Sequence, residues 1–263
     1  MTRPPILVKI PWLGLLVVAA CLAAWEAAAR SRPDLAIHFP PASAVLLALA
    51  GIVWSGDLAT HALASLRRFA EGYVLASVLA VGAGLVLGLS RRLHALVEPL
   101  IELLRPMPSV AIIPVAILFL GIGDQMKIAV TVYACSWPIL LNTIDGVRSV
   151  DRVLVSTAAT FRLTPWQRFW KVMLPAASPQ IVTGLRVSLA IALVLVTTSE
   201  MVVSNDGLGF YVLDLQRSFR MAEMYAAVVA LGLIGYALNR LFLFLDGLTM
   251  GWYRGATRKE EIL

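Results

Sequence analysis

Charge is scarce in this sequence. Only 14% of the 263 residues are Asp, Glu, Lys or Arg, and 59% are hydrophobic, with mean hydropathy +0.82. Globular domains carry about 25% charged residues, so the composition excludes an ordinary water-soluble domain. Cysteine is almost absent as well. Cys21 and Cys135 each sit inside an apolar run, which leaves no metal-ligand spacing and no disulfide framework and reads as two small buried hydrophobes. No G-x-x-x-x-G-K-[ST] loop is present to cradle nucleotide phosphates. No H-E-x-x-H pair, G-x-S-x-G elbow or clustered carboxylate set marks an enzyme site. Nor is there a soluble domain, a low-complexity tail, a long linker, or the paired broken spans of secondary transporters. Ionisable residues inside apolar runs are few, and those such as Arg105, Asp145, Arg186, Glu200, Arg240 and Asp246 mostly lie within a turn or two of a run's end. A proton- or sodium-coupled carrier buries acidic groups at mid-depth. The energy source is therefore expected on another polypeptide.

Long apolar runs are what the sequence has in abundance. Six reach the roughly 20 residues that a ~30 Å hydrocarbon core requires: about 10–29, 69–89, 100–120, 128–147, 181–203 and 225–248. The first follows Arg3 and Lys9 but exceeds a signal-peptide core and ends in Trp25-Glu26 and Arg30, so it reads as a retained span. Ala42–Trp54, between Pro40-Pro41 and Ser55-Gly56-Asp57, is too short to cross and reads as an interfacial helix. The expectation is an all-α polytopic membrane protein forming one transmembrane domain over 1–263. The formal charge of +6 gathers at the ends of the runs, which points to orientation in a bilayer rather than to nucleic acid. With both termini in the cytoplasm, the inner segments hold Arg3, Lys9, Arg91, Arg92, Arg148, Arg152, Arg162, Arg168, Lys171, Arg254, Arg258 and Lys259. The outer ones hold Arg30, Arg32, Arg67, Arg68, Lys127, Arg217 and Arg220, and Arg67-Arg68 runs against the bias.

One inner segment is polar, basic and aromatic at once. Ser156–Pro175, within a stretch of 151–178, combines Arg162, Arg168 and Lys171 with Phe161, Leu163, Trp166, Phe169 and Trp170. That composition suits a short amphipathic helix offered to a soluble partner, or one lying on lipid. A helix is expected from about Thr157 to Leu163, with Ser156 as N-cap, then a corner and a second helix capped by Thr164 with Pro165 in its first turn. Elsewhere, Pro106, Pro108 and Pro114 fall within one run, each removing an intrahelical bond. Freed carbonyls at membrane depth belong against protein or a wet cavity. Trp137-Pro138 repeats that pattern, with Asn142 one turn on. Arg105 either meets an anionic substrate or pairs with Glu102 or Glu98. Glu200, beside Thr197, Thr198 and Ser199, reads as a gate contact or an interface residue. Gly82, Gly84 and Gly88 read as helix-packing positions.

Measured back from Leu174-Pro175, the amphipathic segment resembles the cytoplasmic EAA loop of permease subunits of binding-protein-dependent ABC importers. That motif is E-A-A, three residues, G, nine residues, I-x-L-P. Here stand Ser156-Thr157-Ala158, three residues, Arg162, nine residues, then Val172-Met173-Leu174-Pro175. A Gly at the Arg162 position takes φ > 0 at little cost. Leu104-Arg105-Pro106-Met107-Pro108, Ile113-Pro114 and Phe119-Leu120-Gly121-Ile122-Gly123 resemble the proline-rich third span of the nitrate/sulfonate/taurine-type permeases. Trp137–Thr143, Gly146–Asp151, and Gly207-Leu208-Gly209-Phe210 with Leu213-Asp214 and Gln216-Arg217 follow the same family in order. The resemblance runs from about Phe39 to Arg254 and implies a permease fold in a bacterial inner membrane, with no catalytic residues and no cofactor in this chain. It implies three kinds of partner besides the bilayer, and no nucleic acid: a second copy of the chain, two cytoplasmic ATP-binding cassette subunits that bind ATP–Mg, and a periplasmic or extracellular substrate-binding protein. It assigns ATPase coupling to Ser156, Thr157, Ala158, Ala159, Phe161, Arg162, Leu163, Leu174 and Pro175. Arg105, Pro106, Pro108, Trp137, Asn142 and Glu200 fall to the translocation pathway. The implied substrate is a small anion such as a sulfonate, taurine or nitrate, the alternative a pyrimidine or other small organic nutrient. The rival classes are a membrane-embedded enzyme, which needs converging nucleophiles, acids or metal ligands, and a scaffold, which needs no docking helix.

Overall fold

The computed structural model describes residues 11–32 and 38–249, and every regular element among them is helical. Arg3, Lys9, Arg254, Arg258 and Lys259, used above to orient the chain, lie outside the described residues. The helices are α1 (Pro11–Ser31), α2 (Ala42–Trp54), α3 (Asp57–Leu89), α4 (Arg91–Leu104), α5 (Ile113–Leu120), α6 (Asp124–Arg148), α7 (Arg152–Thr160), α8 (Pro165–Arg168), α9 (Leu174–Val202), α10 (Leu208–Arg217) and α11 (Met221–Thr249). A 3-10 turn at Ser109–Ile112 precedes α5, and a π-helical stretch at Phe169–Met173 joins α8 to α9. Five helical segments are long and apolar enough to cross a bilayer: Gly14–Ser31, Asp57–Leu89, Asp124–Arg148, Pro165–Val202 and Met221–Leu248.

The residues form two compact units. The first comprises the described residues up to Ala59 together with Tyr211–Ala230. Its core is Val45, Ile52, Tyr211, Val212, Leu215, Ala226 and Ala227. Trp25 fastens α1 to the entry of α2, donating Nε1–H to the Pro40 carbonyl at 3.1 Å and stacking on Phe39. The Glu26 carboxylate accepts the Ser43 N–H at 3.0 Å, satisfying an orphan donor in the first turn of α2, and pairs with Arg30 at 2.7 Å.

The second unit comprises Thr60–Phe210 and, among the described residues, 231–249. Phe69, Ala76, Ala80, Cys135, Ile139, Leu140, Ile144, Leu189, Ala192 and Val196 make its main core. Small residues set the helix separations. A Cβ on Gly84 would stand 2.6 Å from Thr143 Cβ, and one on Gly88 2.7 Å from Val147 Cβ, so α3 lies directly on α6. Gly82 faces open space, so of the three expected packing glycines only Gly84 and Gly88 serve this seam. The α6–α9 seam is as tight. A Cβ on Gly184 would fall 2.9 Å from the Pro138 carbonyl oxygen, and one on Gly146 3.0 Å from that of Ala177. Outward, α3 presents Val74, Leu75, Val78, Leu79 and Val86 exposed. A stripe of this kind faces lipid or another chain.

Two features depart from expectation. The helix that holds the 69–89 run begins at Asp57, and its 33 residues span about 50 Å, well beyond a ~30 Å core. Arg67 and Arg68 are thus helical, not loop. The 100–120 run is not one straight span either, because α4 and the Ser109–Leu120 segment meet at 88°. Pro106 and Pro108 lie in the turn itself, with Pro108 extended at φ −61°, ψ 116°, while Pro114 occupies the first turn of α5. None of the three interrupts a helix interior, so their missing N–H groups leave no mid-helix carbonyl free.

Candidate functional site

The 151–178 segment folds into helix, corner and helix. Asp151, not Ser156, caps α7, its Oδ1 accepting the Val153 N–H at 2.8 Å. The helix begins five residues earlier than expected, because Asp151, three residues past the end of α6, already supplies the acceptor that orphan N–H groups need. Ser156 therefore sits mid-helix, its carbonyl receiving the Thr160 hydroxyl at 3.2 Å. Thr157, Ala158 and Ala159 form the last turn, Ala158 buried and its two neighbours exposed.

The corner is a Schellman turn. The Leu163 N–H donates to the Ala158 carbonyl at 3.1 Å and the Arg162 N–H to that of Ala159 at 2.9 Å. Arg162 holds φ = 55°, the left-handed conformation that a Gly adopts more cheaply. Thr164 and Gln167 then close a capping box over α8, with Pro165 in its first turn, as the sequence leads one to expect. Phe161 stands at the corner 77% exposed. Leu174 packs with Met173 against Val147, Ala177 and Ile181, and Pro175 occupies the first turn of α9, so the corner is fixed to the end of α6. Beside it lies a cavity of about 590 Å³ lined by Leu89, Val155, Pro165, Trp166, Arg168, Phe169 and Met173. Arg168 Nη2 donates to the Leu163 carbonyl at 3.4 Å while its buried Nε has no partner.

The pathway residues do not converge on one point. Arg105, Pro106 and Pro108 occupy the 88° turn, all exposed. Arg105 forms no ion pair with Glu98 or Glu102; Glu98 faces His94 instead, at 3.6 Å. Trp137 is half-buried, its ring edge-on to Tyr133 with centroids 5.4 Å apart. Asn142 spans the α6–α9 seam, donating to the Pro138 carbonyl at 2.8 Å and accepting from Gln180 Nε2 at 3.1 Å. Glu200 is removed from these. It lies at the far end of α9, 1% exposed, and its carboxylate meets Ser65 Oγ at 2.7 Å and Arg68 Nη1 at 2.8 Å. The expected gate or interface contact is a buried ion pair.

Arg68, Asp124, Lys127 and Asp206 complete that cluster, and sequence reasoning did not single them out. Arg68 reaches Asp124 at 2.6 Å and Asp206 at 2.5 Å, and Lys127 Nζ donates to Ser204 Oγ at 2.7 Å. One signal did exist: Arg67-Arg68 contradicts the charge bias of the loops, and a basic residue that breaks the orientation rule is accounted for when it is buried against carboxylates. Burial pushes the Asp206 carboxyl up, but the Arg68 hydrogen bond and the charges of Arg68 and Lys127 together hold it below the usual carboxylate range.

Five apolar helices, a sharply bent apolar pair, and a capped amphipathic corner fixed to two of the long helices define a multi-pass membrane permease. The chain belongs to the family described as the binding-protein-dependent transport system inner membrane component, whose model matches residues 72–249. It is similar to SsuC of Bacillus subtilis, named an aliphatic sulfonates transport permease, at 28% identity over 92% of this chain and 88% of that one. It is similar also to CmpB of Synechococcus elongatus, a bicarbonate transport system permease, at 31% identity over 74% and 69%. The fold matches a chain of the MetNI methionine ABC transporter in an inward-facing conformation, with TM-score 0.57 and 20% identity over 73% of this chain and 96% of that one. The protein is accordingly a permease subunit of an ABC importer, a membrane component and not itself a catalyst.

Proposed function

We propose that residues 1–263 work as one permease domain that lines the substrate pathway of the importer and transmits ATP hydrolysis by a separate ATPase pair to it. The α7–α8 corner is the coupling element. The observation that carries this reading is Phe161, a large apolar side chain left 77% exposed on a turn fixed by Schellman bonds and a capping box. A rigid presentation of one apolar anchor suits a partner's groove better than a fluid lipid surface. The corner then faces the cytoplasm, both termini lie on that side, and the Glu200 end of α9 faces the substrate-binding protein outside. A second copy of the chain closes the route, since one subunit with few polar groups does not enclose a wet channel alone.

The substrate is a small anion such as a sulfonate, taurine or nitrate. SsuC and CmpB carry the names of sulfonate and bicarbonate permeases, and Arg105 holds its charge in the 88° turn without an ion-pair partner among the described residues.

The test is purification from a host expressing the chain with its genomic neighbours. An ATPase should co-purify in a complex with two copies of this chain, and hydrolysis should appear only with that subunit present. Nucleotide turnover by the chain alone, or a single copy beside an unrelated permease, would overturn the reading.

A further inference from the structure

At the Glu200 end of α9, one guanidinium joins three separate pieces of chain. Arg68 belongs to α3 and its side chain is 3% exposed. Its Nε donates to Asp124 at the start of α6, its Nη1 to Glu200 at the end of α9, and its Nη2 to Asp206 in the connection between α9 and α10. The backbone that follows Asp206 is held by the same neighbourhood. The Gly207 N–H donates to His61 Nδ1 at 3.2 Å, the Leu208 N–H to Ser65 Oγ at 2.7 Å and the Gly209 N–H to Glu200 Oε2 at 3.0 Å. These are donors at the start of α10, which has no upstream helical carbonyls to receive them. Side chains of α3 and α9 take that role.

The fit is close as well as polar. Gly207 has φ = 99°, and a Cβ there would collide with the Glu200 carboxylate; a Cβ on Gly209 would collide with the Thr197 carbonyl. Leu208 between them is completely buried. The three carboxylates on Arg68 differ in exposure, however: the Glu200 side chain is 0% exposed, Asp124 33% and Asp206 51%. Solvent screens the Asp206 arm most and leaves the Glu200 arm in a dry interior.

We propose that Arg68 is a positioning residue that seats residues 203–209 on α3 and α9, and that its Asp206 arm is the latch that parts during transport while the Glu200 arm persists. The seating stands on the geometry alone; its place in transport rests on the importer reading, which puts this end of the chain outside. The α6 and α9 helices run from this cluster to the α7–α8 corner, about 37 Å away along the 25 residues of α6.

The test uses Leu208→Cys as the reporter, in a Cys21→Ala background where the remaining Cys135 is buried. The chain is placed in lipid nanodiscs with whatever ATPase co-purifies, and treated with a membrane-impermeant maleimide. Labelling should be slow in this parent and about fivefold or more faster once Asp206→Asn is added. It should also be faster in the parent when ATP and vanadate trap the ATPase. Arg68→Lys, which keeps the charge but not the three-way fork, should label at least as fast as Asp206→Asn. Limited proteolysis within 203–207, in chains keeping Leu208, gives the same comparison if the reporter cysteine disturbs folding. Equal rates for the parent and Asp206→Asn in both assays would overturn the seating. A faster Asp206→Asn with no response to vanadate would overturn the latch's part in transport. Failure of any ATPase to co-purify counts against the importer reading instead, and the Asp206→Asn comparison on the chain alone still decides the seating.

Discussion

The Tyr133 hydroxyl donates to the Leu104 carbonyl at 2.7 Å, joining the interior of α6 to the last turn of α4 where the chain turns through 88°. That carbonyl lies at a helix end, beyond the reach of the intrahelical ladder, and otherwise receives only the Met107 N–H at 3.2 Å. Tyr133→Phe keeps the ring against Trp137 and removes the donor. It should lower stability by about 1 kcal/mol, read as a fall in the thermal midpoint of the detergent-solubilised protein. An unchanged midpoint would mean that the turn is held by its prolines alone.

At the α7–α8 corner, Arg162 occupies a left-handed position with φ = 55°. For a residue with a Cβ that conformation costs roughly 1–2 kcal/mol relative to the right-handed one. Arg162→Gly should raise the midpoint, and Arg162→Val, β-branched at the same φ, should lower it. The reverse order would show that the Arg162 side chain makes a contact that outweighs the strain.

The α3–α6 seam offers an internally controlled pair. Gly84→Ala brings a Cβ to 2.6 Å from Thr143 Cβ, whereas Gly82, two residues away, has nothing within 4 Å of a Cβ. Overpacking of a tight seam costs about 1–3 kcal/mol. Gly82→Ala should be neutral or stabilising by up to about 1 kcal/mol. Expression and melting of the two variants side by side check this, and equal behaviour would place the seam elsewhere.

Phe161→Ala combined with Arg162→Glu tests coupling directly. Losing an apolar anchor from a docking groove costs on the order of 2 kcal/mol, or about thirtyfold in affinity. Membrane insertion should survive, because the flanking spans and the other basic residues still direct topology. ATPase recovery and substrate uptake at matched expression are the readouts. Wild-type values for both would make the corner a lipid-surface helix.

Acid should loosen the Asp206 arm selectively. A carboxyl whose folded pKa is depressed contributes stability above its unfolded value, near 3.9, and loses that contribution as pH falls through the folded value. Asp206 is such a group. The midpoint of the wild-type protein should therefore have an acid limb below about pH 4 that is shallower in Asp206→Asn. Identical limbs would show that other carboxylates set the acid response.

Local chemistry was largely legible in the sequence, and direction and distance were not. Ala42–Trp54 matches α2 in both bounds because Pro40-Pro41 and Ser55-Gly56 punctuate it. Thr164 and Pro165 announced the cap of α8 for the same reason. Pro106 and Pro108 marked the run of 100–120 as interrupted, but its apolar character gave no sign of the 88° direction, since hydropathy records what a segment can be buried in and not where it points. Ser156 was favoured as a cap by its hydroxyl, yet Asp151 supplies the acceptor five residues earlier and starts the helix there. The Arg68–Glu200 pair joins residues 132 apart in sequence, so no local periodicity reveals it.

The glycines between α6 and α9 have a mechanical consequence. At Gly146 and Gly184 each helix faces the other with no side chain of its own between the backbones. Longer side chains yield by changing rotamer, whereas a glycine backbone set against a neighbouring carbonyl and a Cβ has little room to give. This close approach favours movement of the two helices as a pair, with Asp124 and Glu200 at one end and Arg148 and Leu174 at the other. A displacement at one end of the pair would then be felt at the other, which couples the Glu200 cluster to the corner by packing rather than by a chain of polar contacts.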